Sequence, residues 1–284
     1  VETSKQKGRQ SVKQATRPTP FDFKDYREYL VAYFSWLKRT HNMSMRKLAG
    51  RLGVSVALLS SIVNGRRNLT GASVRAWSEV LGWSEQEISF LEKQLHFQDE
   101  PDRRPKTQAF KEILRFKRYK ERNVTEVVAW SYLANWWTPV IREMSGLVEF
   151  QENPQWIRGR LRFPIALEEI RKCLAFLRDN NLLARQGDFR RIECHGGVYK
   201  LALAQFHGQI LERAADSIYK AQSEERHILG HTYRLHPKKM GKLKLILDRA
   251  LEEISALESP ADVEGEVYHV ALTAVPMTKK VEKK

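Results

Sequence analysis

Between Ser44 and Gly65 the chain reads SMRKLAGRLGVSVALLSSIVNG. Two short helices crossing at a tight turn satisfy this pattern at every position. Ser44 is a good N-cap for a helix opening at Met45, because its hydroxyl can accept from a backbone N–H that has no partner within the helix. Leu48, Ala49 and Leu52 form the inner face of that helix, and Ala49 is small where a second helix must pass close. Gly53, four residues on, is free to take the positive φ a sharp turn needs. Val54 then plugs the core, and Ser55 caps the next helix. Leu59 and Ile62 lie three apart on its buried side. Gly65 ends it as a C-cap.

This is the spacing of a helix-turn-helix, and the residues resemble the Cro/CI repressor family, also called the Xre family. The resemblance covers roughly residues 24–96, a five-helix bundle in that family. A helical hairpin in an ordinary core, or one at a protein interface, shares the spacing, so the motif alone does not establish DNA contact. The resemblance implies that Ser55 to Asn64 is the recognition helix, lying in the major groove, with Ser55, Val56, Ala57, Ser60, Ser61 and Asn64 outward. That set lacks Arg and Gln, which pair bidentately with guanine or adenine. Serine is a tolerant partner, and Val or Ala reaches only a thymine methyl, so weak direct base readout is expected. Arg46, Arg66 and Arg67, with Asn68 beside them, flank the helix and are placed for phosphates, which position a protein without specifying sequence. The alternative for Arg66 and Arg67 is an ordinary solvated loop.

Charge agrees with a polyanion as partner. The 284 residues carry a formal net charge of +15, and 42% of them are hydrophobic. That length suits two or three domains with real cores. The basic excess attracts nucleic acid or an anionic membrane surface. No apolar run approaches the roughly 18 residues of a membrane span, and Val1 to Pro20 has no apolar core of a secretory signal. Cys173 and Cys194 alone do not make a disulfide framework, and a reducing cytoplasm is the natural expectation.

The expected organisation is mainly α with a smaller α+β part. Residues 1–20 read as a disordered basic tail, 21–97 as the five-helix head and 98–106, with two prolines and mixed charge, as a linker. Residues 107–200 read as a winged-helix-like domain, with helices near 154–161 and 166–179 and a hairpin over 182–192 turning at Gly187-Asp188. Its Arg185, Arg190 and Arg191 suit a basic wing that touches DNA, although many winged helices only dimerise or dock. Residues 201–277 read as an αβαβ module for regulation or dimerisation: helix 205–222, strand 227–235, helix 237–257, strand 266–275. In the last, Val267, His269 and Ala271 alternate with Tyr268, Val270 and Leu272. Residues 278–284 form a second basic tail.

The C-terminal part carries its own resemblance. The stretch WWTPVIREM from Trp136 to Met144, Trp156-Ile157, Leu174-Ala175-Phe176-Leu177, Asn181-Leu182-Leu183 and the ending Val275-Pro276-Met277-Thr278 resemble a poorly characterised bacterial family. Its members join an Xre-like head to a long C-terminal regulatory domain. The likeness covers most of residues 107–278 and implies a transcriptional regulator, with no ligand attached. Trp137, Arg142 and Glu143 form a candidate ligand pocket in which Arg would fix an anion. The competing reading is a core tryptophan beside a structural ion pair.

Catalytic patterns fail on inspection. His227 and His231 have helical metal spacing, but no Glu follows the first, and Gly230 and Thr232-Tyr233 argue against a helix. Cys194-His195 has no companion pair for zinc, and no phosphate-binding loop is present. The expectation is a non-enzymatic regulator of transcription without metal or cofactor. Its partner is double-stranded DNA, its C-terminal part dimerises or senses a small-molecule or protein effector, and it is not bound to membrane. A homodimer is expected because one head with weak base readout gives little selectivity. The alternatives are a protein-interaction scaffold with a degenerate head and an RNA-binding protein, the latter without an aromatic sheet motif.

Overall fold

The computed structural model describes residues 16–183, 197–257 and 264–279. Among them the regular structure is helical, with no strand. The chain divides into two compact units, residues 1–127 with 196–201, and residues 128–195 with 202–284.

The first unit is built by local signals. A 3₁₀ turn at Pro20–Asp22 leads into α1 (Tyr26–His41), α2 (Met45–Arg51), α3 (Val56–Val63), α4 (Gly71–Leu81) and α5 (Glu85–Asp99). Each of the five has a side-chain N-cap: Asp25, Ser44, Ser55, Thr70 and Ser84 accept from backbone N–H groups at 2.7, 3.3, 3.1, 3.1 and 3.3 Å. Glu87 reaches back to the Ser84 N–H at 2.9 Å and completes a capping box. Asn42 and Gly82 end α1 and α4 in the left-handed region. The core combines Tyr26, Tyr29, Leu30 and Tyr33 of α1 with Leu48, Leu59, Ile62, Trp77 and Leu91.

The stretch 98–106, expected as a linker, holds the end of α5, a short connection and the start of α6 (Arg103–Ile113). Pro105 falls within the first turn of α6, where a missing N–H costs nothing. With α7 (Lys117–Arg122) this helix adds an aromatic layer to the head. Ring centroids lie 5.3 Å apart for Phe97–Phe110, 5.5 Å for Phe90–Tyr119 and 4.8 Å for Phe21–Phe90. The end of the expected disordered tail is likewise anchored. Arg17 pairs with the buried Glu87 at 2.8 Å and donates to the Gly82 carbonyl at 3.0 Å.

In the second unit α9 (Trp137–Met144), α10 (Pro154–Arg160) and α11 (Leu167–Asp179) bury Ile141, Ile157, Ile170 and Leu177. α8 (Val124–Leu133) and α12 (Gly197–Lys220) contribute residues to both units. Within the second, the amide groups of Gln205 and Gln209 donate to the Ala134 carbonyl at 2.6 and 2.8 Å. The Gln209 oxygen accepts from the Trp136 N–H at 3.0 Å. A last helix, α13 (Met240–Ser255), follows.

Two expectations are overturned. The αβαβ module is absent: residues 227–235 and 264–277 have no strand structure, and α13 stands between them. A strand is defined by a neighbour that takes its N–H and C=O groups, and the described residues set none beside these segments. The alternation at 266–275 is real in the sequence, yet Tyr268, Val270 and Leu272 are exposed. The smaller α+β part, including a winged-helix sheet in 107–200, is not formed among the described residues either. The hairpin expected at 182–192, with Arg185, Arg190 and Arg191, lies outside the described residues from position 184 on. Leu182 and Leu183 are buried where α11 ends. No described helix is long and apolar enough to cross a membrane.

Candidate nucleic-acid interface

The turn between α2 and α3 has the geometry the glycine implies. Gly53 holds φ +65°, and Val54 donates its N–H to the Ala49 carbonyl at 3.0 Å, closing the α2 end. Leu48 and Ala49 are buried on one side of the crossing, and Leu59 and Ile62 on the other. Burying these positions fixes which residues of α3 face solvent.

Ser55, Val56, Ala57 and Asn64 are exposed, whereas Ser60 and Ser61 are half-buried. Several of these groups already have structural duties. The Ser55 hydroxyl caps α3 by accepting from the Leu58 N–H. The Ser60 hydroxyl accepts from the Asn64 amide at 3.1 Å. The Ser61 carbonyl takes the N–H groups of both Arg66 and Arg67, at 2.8 and 3.1 Å. The two arginine backbones are thereby tied to the end of α3, while their side chains are exposed and form no ion pair among the described residues. Gly65, at φ +72°, makes the bend that carries them.

Asn68 sits in a clamp. Its side-chain oxygen accepts from Arg27 at 2.6 Å, and its amide donates to Asp99 at 2.9 Å, so α1 and α5 both hold the loop after α3. Arg27 lies over the Tyr26 ring at 4.4 Å, and a Cβ on Gly65 would meet its Nε at 3.7 Å. The Tyr26 hydroxyl accepts from the Leu69 N–H at 3.3 Å, and burial raises that phenol above its ordinary value, which keeps it neutral. Arg27 was not legible as part of this site, because its role is to reach across the bundle.

On α2, Arg46, Lys47 and Arg51 are all exposed, and Lys47 and Arg51 share a face at four-residue spacing. Between Tyr29 and Ser78 the chain has no Asp or Glu and eight Lys or Arg: Lys38, Arg39, Arg46, Lys47, Arg51, Arg66, Arg67 and Arg75. That one-signed window, visible in the sequence, is the signal that would have added Lys47 and Arg51 to the expected set. Arg75 is already paired, with Glu92 at 2.7 Å.

The second candidate site assembles differently. Trp137 is half-buried, with its ring edge-on to Trp136 at 5.9 Å. Arg142 donates to the Tyr132 hydroxyl at 3.2 Å and lies 4.0 Å from Glu143. Arg142 thus has an aromatic hydroxyl and a carboxylate as neighbours. A hollow of about 420 Å³ in this unit is lined by Gln155, Arg158, Gly159, Pro164 and Leu167, and none of the three takes part. Nearby Cys173 is buried, which pushes its thiol up to about 11. Residues 227–231 are not helical, so His227 and His231 do not share a helix face.

Comparison with known proteins gives two matches. A family model described as a helix-turn-helix matches residues 36–88, from the middle of α1 into α5. A second, described as a domain of unknown function (DUF4423), matches residues 116–277, more than half of the chain. No curated protein and no solved structure matches the chain.

Proposed function

We propose, for a chain that belongs to the DUF4423 family and carries a helix-turn-helix head, that it regulates transcription by binding duplex DNA through α2 and α3. The observation that carries this reading is the exposed α2–α3 face, basic on both flanks, within a stretch from Tyr29 to Ser78 that has no acidic residue. A polyanion meets no like charge from that part of the chain. In this reading α3 enters the major groove, and Arg46, Arg66 and Arg67 bind phosphates on either side.

The groove-facing side chains are small, and three of the hydroxyl or carbonyl groups there are already used within the head. Base readout is therefore weak, and selectivity comes from placing two heads on one duplex. The second unit supplies the pairing and receives an effector, and the protein works in the cytoplasm. One observation favours a rival: Val56 and Ala57 expose apolar surface at the front of α3, which suits a protein-docking role.

Enrichment from a random duplex pool, followed by anisotropy titration, tests the proposal. An enriched duplex should bind more tightly than a scrambled one, and both more tightly than single-stranded RNA. No binding to any duplex, or preference for the RNA, would reject it.

A further inference from the structure

The second unit leaves an apolar surface open at its C-terminal end. Among the described residues, fourteen of the twenty-two large hydrophobics that are exposed fall between Ile228 and Met277. Four of these, Met240, Leu245, Ile246 and Leu251, lie on α13, and Leu257 follows it. Met240, Leu243, Leu247, Ala250, Ile254 and Leu257 recur at alternating steps of three and four, the spacing of a helix that packs along another helix. Ile246 and Leu251 widen the stripe. None of the eight is buried. Leu243, Leu247, Ala250 and Ile254 at the centre are half-covered, and Met240, Ile246, Leu251 and Leu257 at the margins are exposed.

The charges of the same helix say what covers the stripe. Lys238 and Lys239 just before it and Lys242 and Lys244 near its start gather basic charge there, Asp248 and Arg249 offset each other at its middle, and Glu252 and Glu253 lie at its end. No acidic residue lies in the first turn and no basic residue in the last. This order opposes the helix dipole, which favours acidic groups at the N-terminus and basic groups at the C-terminus. Lys238, Lys239, Lys242, Lys244, Glu252 and Glu253 form no ion pair among the described residues. A helix standing by itself is disfavoured by such an arrangement. A second copy running antiparallel reverses the balance, because it lays the basic end of one helix along the acidic end of the other. A parallel copy would set lysine against lysine.

We propose that α13 is a self-association surface, on which the α13 of a second copy of this chain packs antiparallel along the apolar stripe. The arrangement is isologous, with the same patch on both copies, and closes into a two-fold dimer. It rests on the two-headed reading above for its purpose and names the surface that joins the heads.

Sedimentation velocity on the full chain at micromolar concentration tests it, without DNA. The wild-type chain should be a dimer. Lys242→Glu with Lys244→Glu puts acidic residues at both ends of α13, and Glu252→Lys with Glu253→Lys puts basic residues at both ends, while Asp248 and Arg249 at its middle offset each other. Each double variant should self-associate at least about tenfold more weakly, since each brings several like-charge pairs together. An equimolar mixture of the two should dimerise again. Recovery on mixing cannot come from variants that merely fail to fold. If the wild type is dimeric and both variants remain so, α13 is not the interface, although the two-headed reading survives. A monomeric wild-type chain overturns both, including the case where it binds phosphatidylserine vesicles through α13 instead.

Discussion

Gly53 and Asn68 separate two ways in which a single residue can matter to the head. At Gly53 the space beyond Cα is open, with nothing within 4 Å of an added Cβ, and only φ +65° opposes a side chain. Gly53→Val is therefore expected to lose about 1–3 kcal/mol from backbone strain, whereas Gly53→Asn, which tolerates the left-handed region, should lose much less. Thermal unfolding followed by circular dichroism checks both, and equal losses would place the cause elsewhere. Asn68 acts through its partners, because both ends of its amide are engaged by Arg27 and Asp99. Asn68→Ala should lower head stability by about 1 kcal/mol. It should weaken duplex binding while leaving the salt dependence of binding unchanged, since no phosphate contact is removed. An unchanged duplex affinity would show that the clamp does not position the DNA-binding loop.

At the scale of elements, caps and glycines made α2 and α3 legible, because Ser44, Ser55, Gly53 and Gly65 act on neighbours within four residues. The same locality explains the helices found near the expected 154–161 and 166–179. A helix around Phe110 and Ile113 is legible in the sequence, but its start at Arg103 is not, because Pro105 and mixed charge look like a linker, and packing of Phe110 against Phe97 joins it to the head. A fragment ending at residue 100 should thus be markedly less stable than one ending at 127. It loses the buried Phe110, Ile113 and Tyr119, each worth roughly 1.5–3 kcal/mol. Urea unfolding of the two fragments measures the difference, and matching midpoints would show that α6 and α7 are dispensable. The segment 264–277 offers a pH test. His269 is exposed but lies 5.6 Å from the Phe206 ring, and partial desolvation there, then the neighbouring His207, hold its imidazole below the ordinary 6.5. The docked form thus favours the neutral ring. Its docking is unpenalised above that value and weakens as pH falls below it, where the released ring takes up the proton first. Amide exchange in this segment, corrected for its intrinsic rate, should speed up between about pH 7.5 and 5.5. His269→Gln should remove the change.

For the whole molecule, what the sequence could not reveal was long-range. Alternating residues at 266–275 suit a strand, but a strand needs a partner, and no local rule says whether one arrives. That Arg142 donates to the Tyr132 hydroxyl and lies 4.0 Å from Glu143 is likewise a matter of packing that the sequence does not reveal. The head, by contrast, was readable down to its caps, turn glycines and buried positions, and its role on DNA is the central claim. Salt-dependent binding of an enriched duplex by wild type and by the Arg66→Ala, Arg67→Ala double variant tests that claim most directly. Each phosphate neutralised adds about 0.9 to the slope of log affinity against log salt. Across roughly 50–200 mM salt, the double variant should bind every duplex more weakly, with a slope flatter by about two units per head. An unchanged slope and affinity would mean that the two arginines are solvated loop residues and that α3 does not lie in the groove as described.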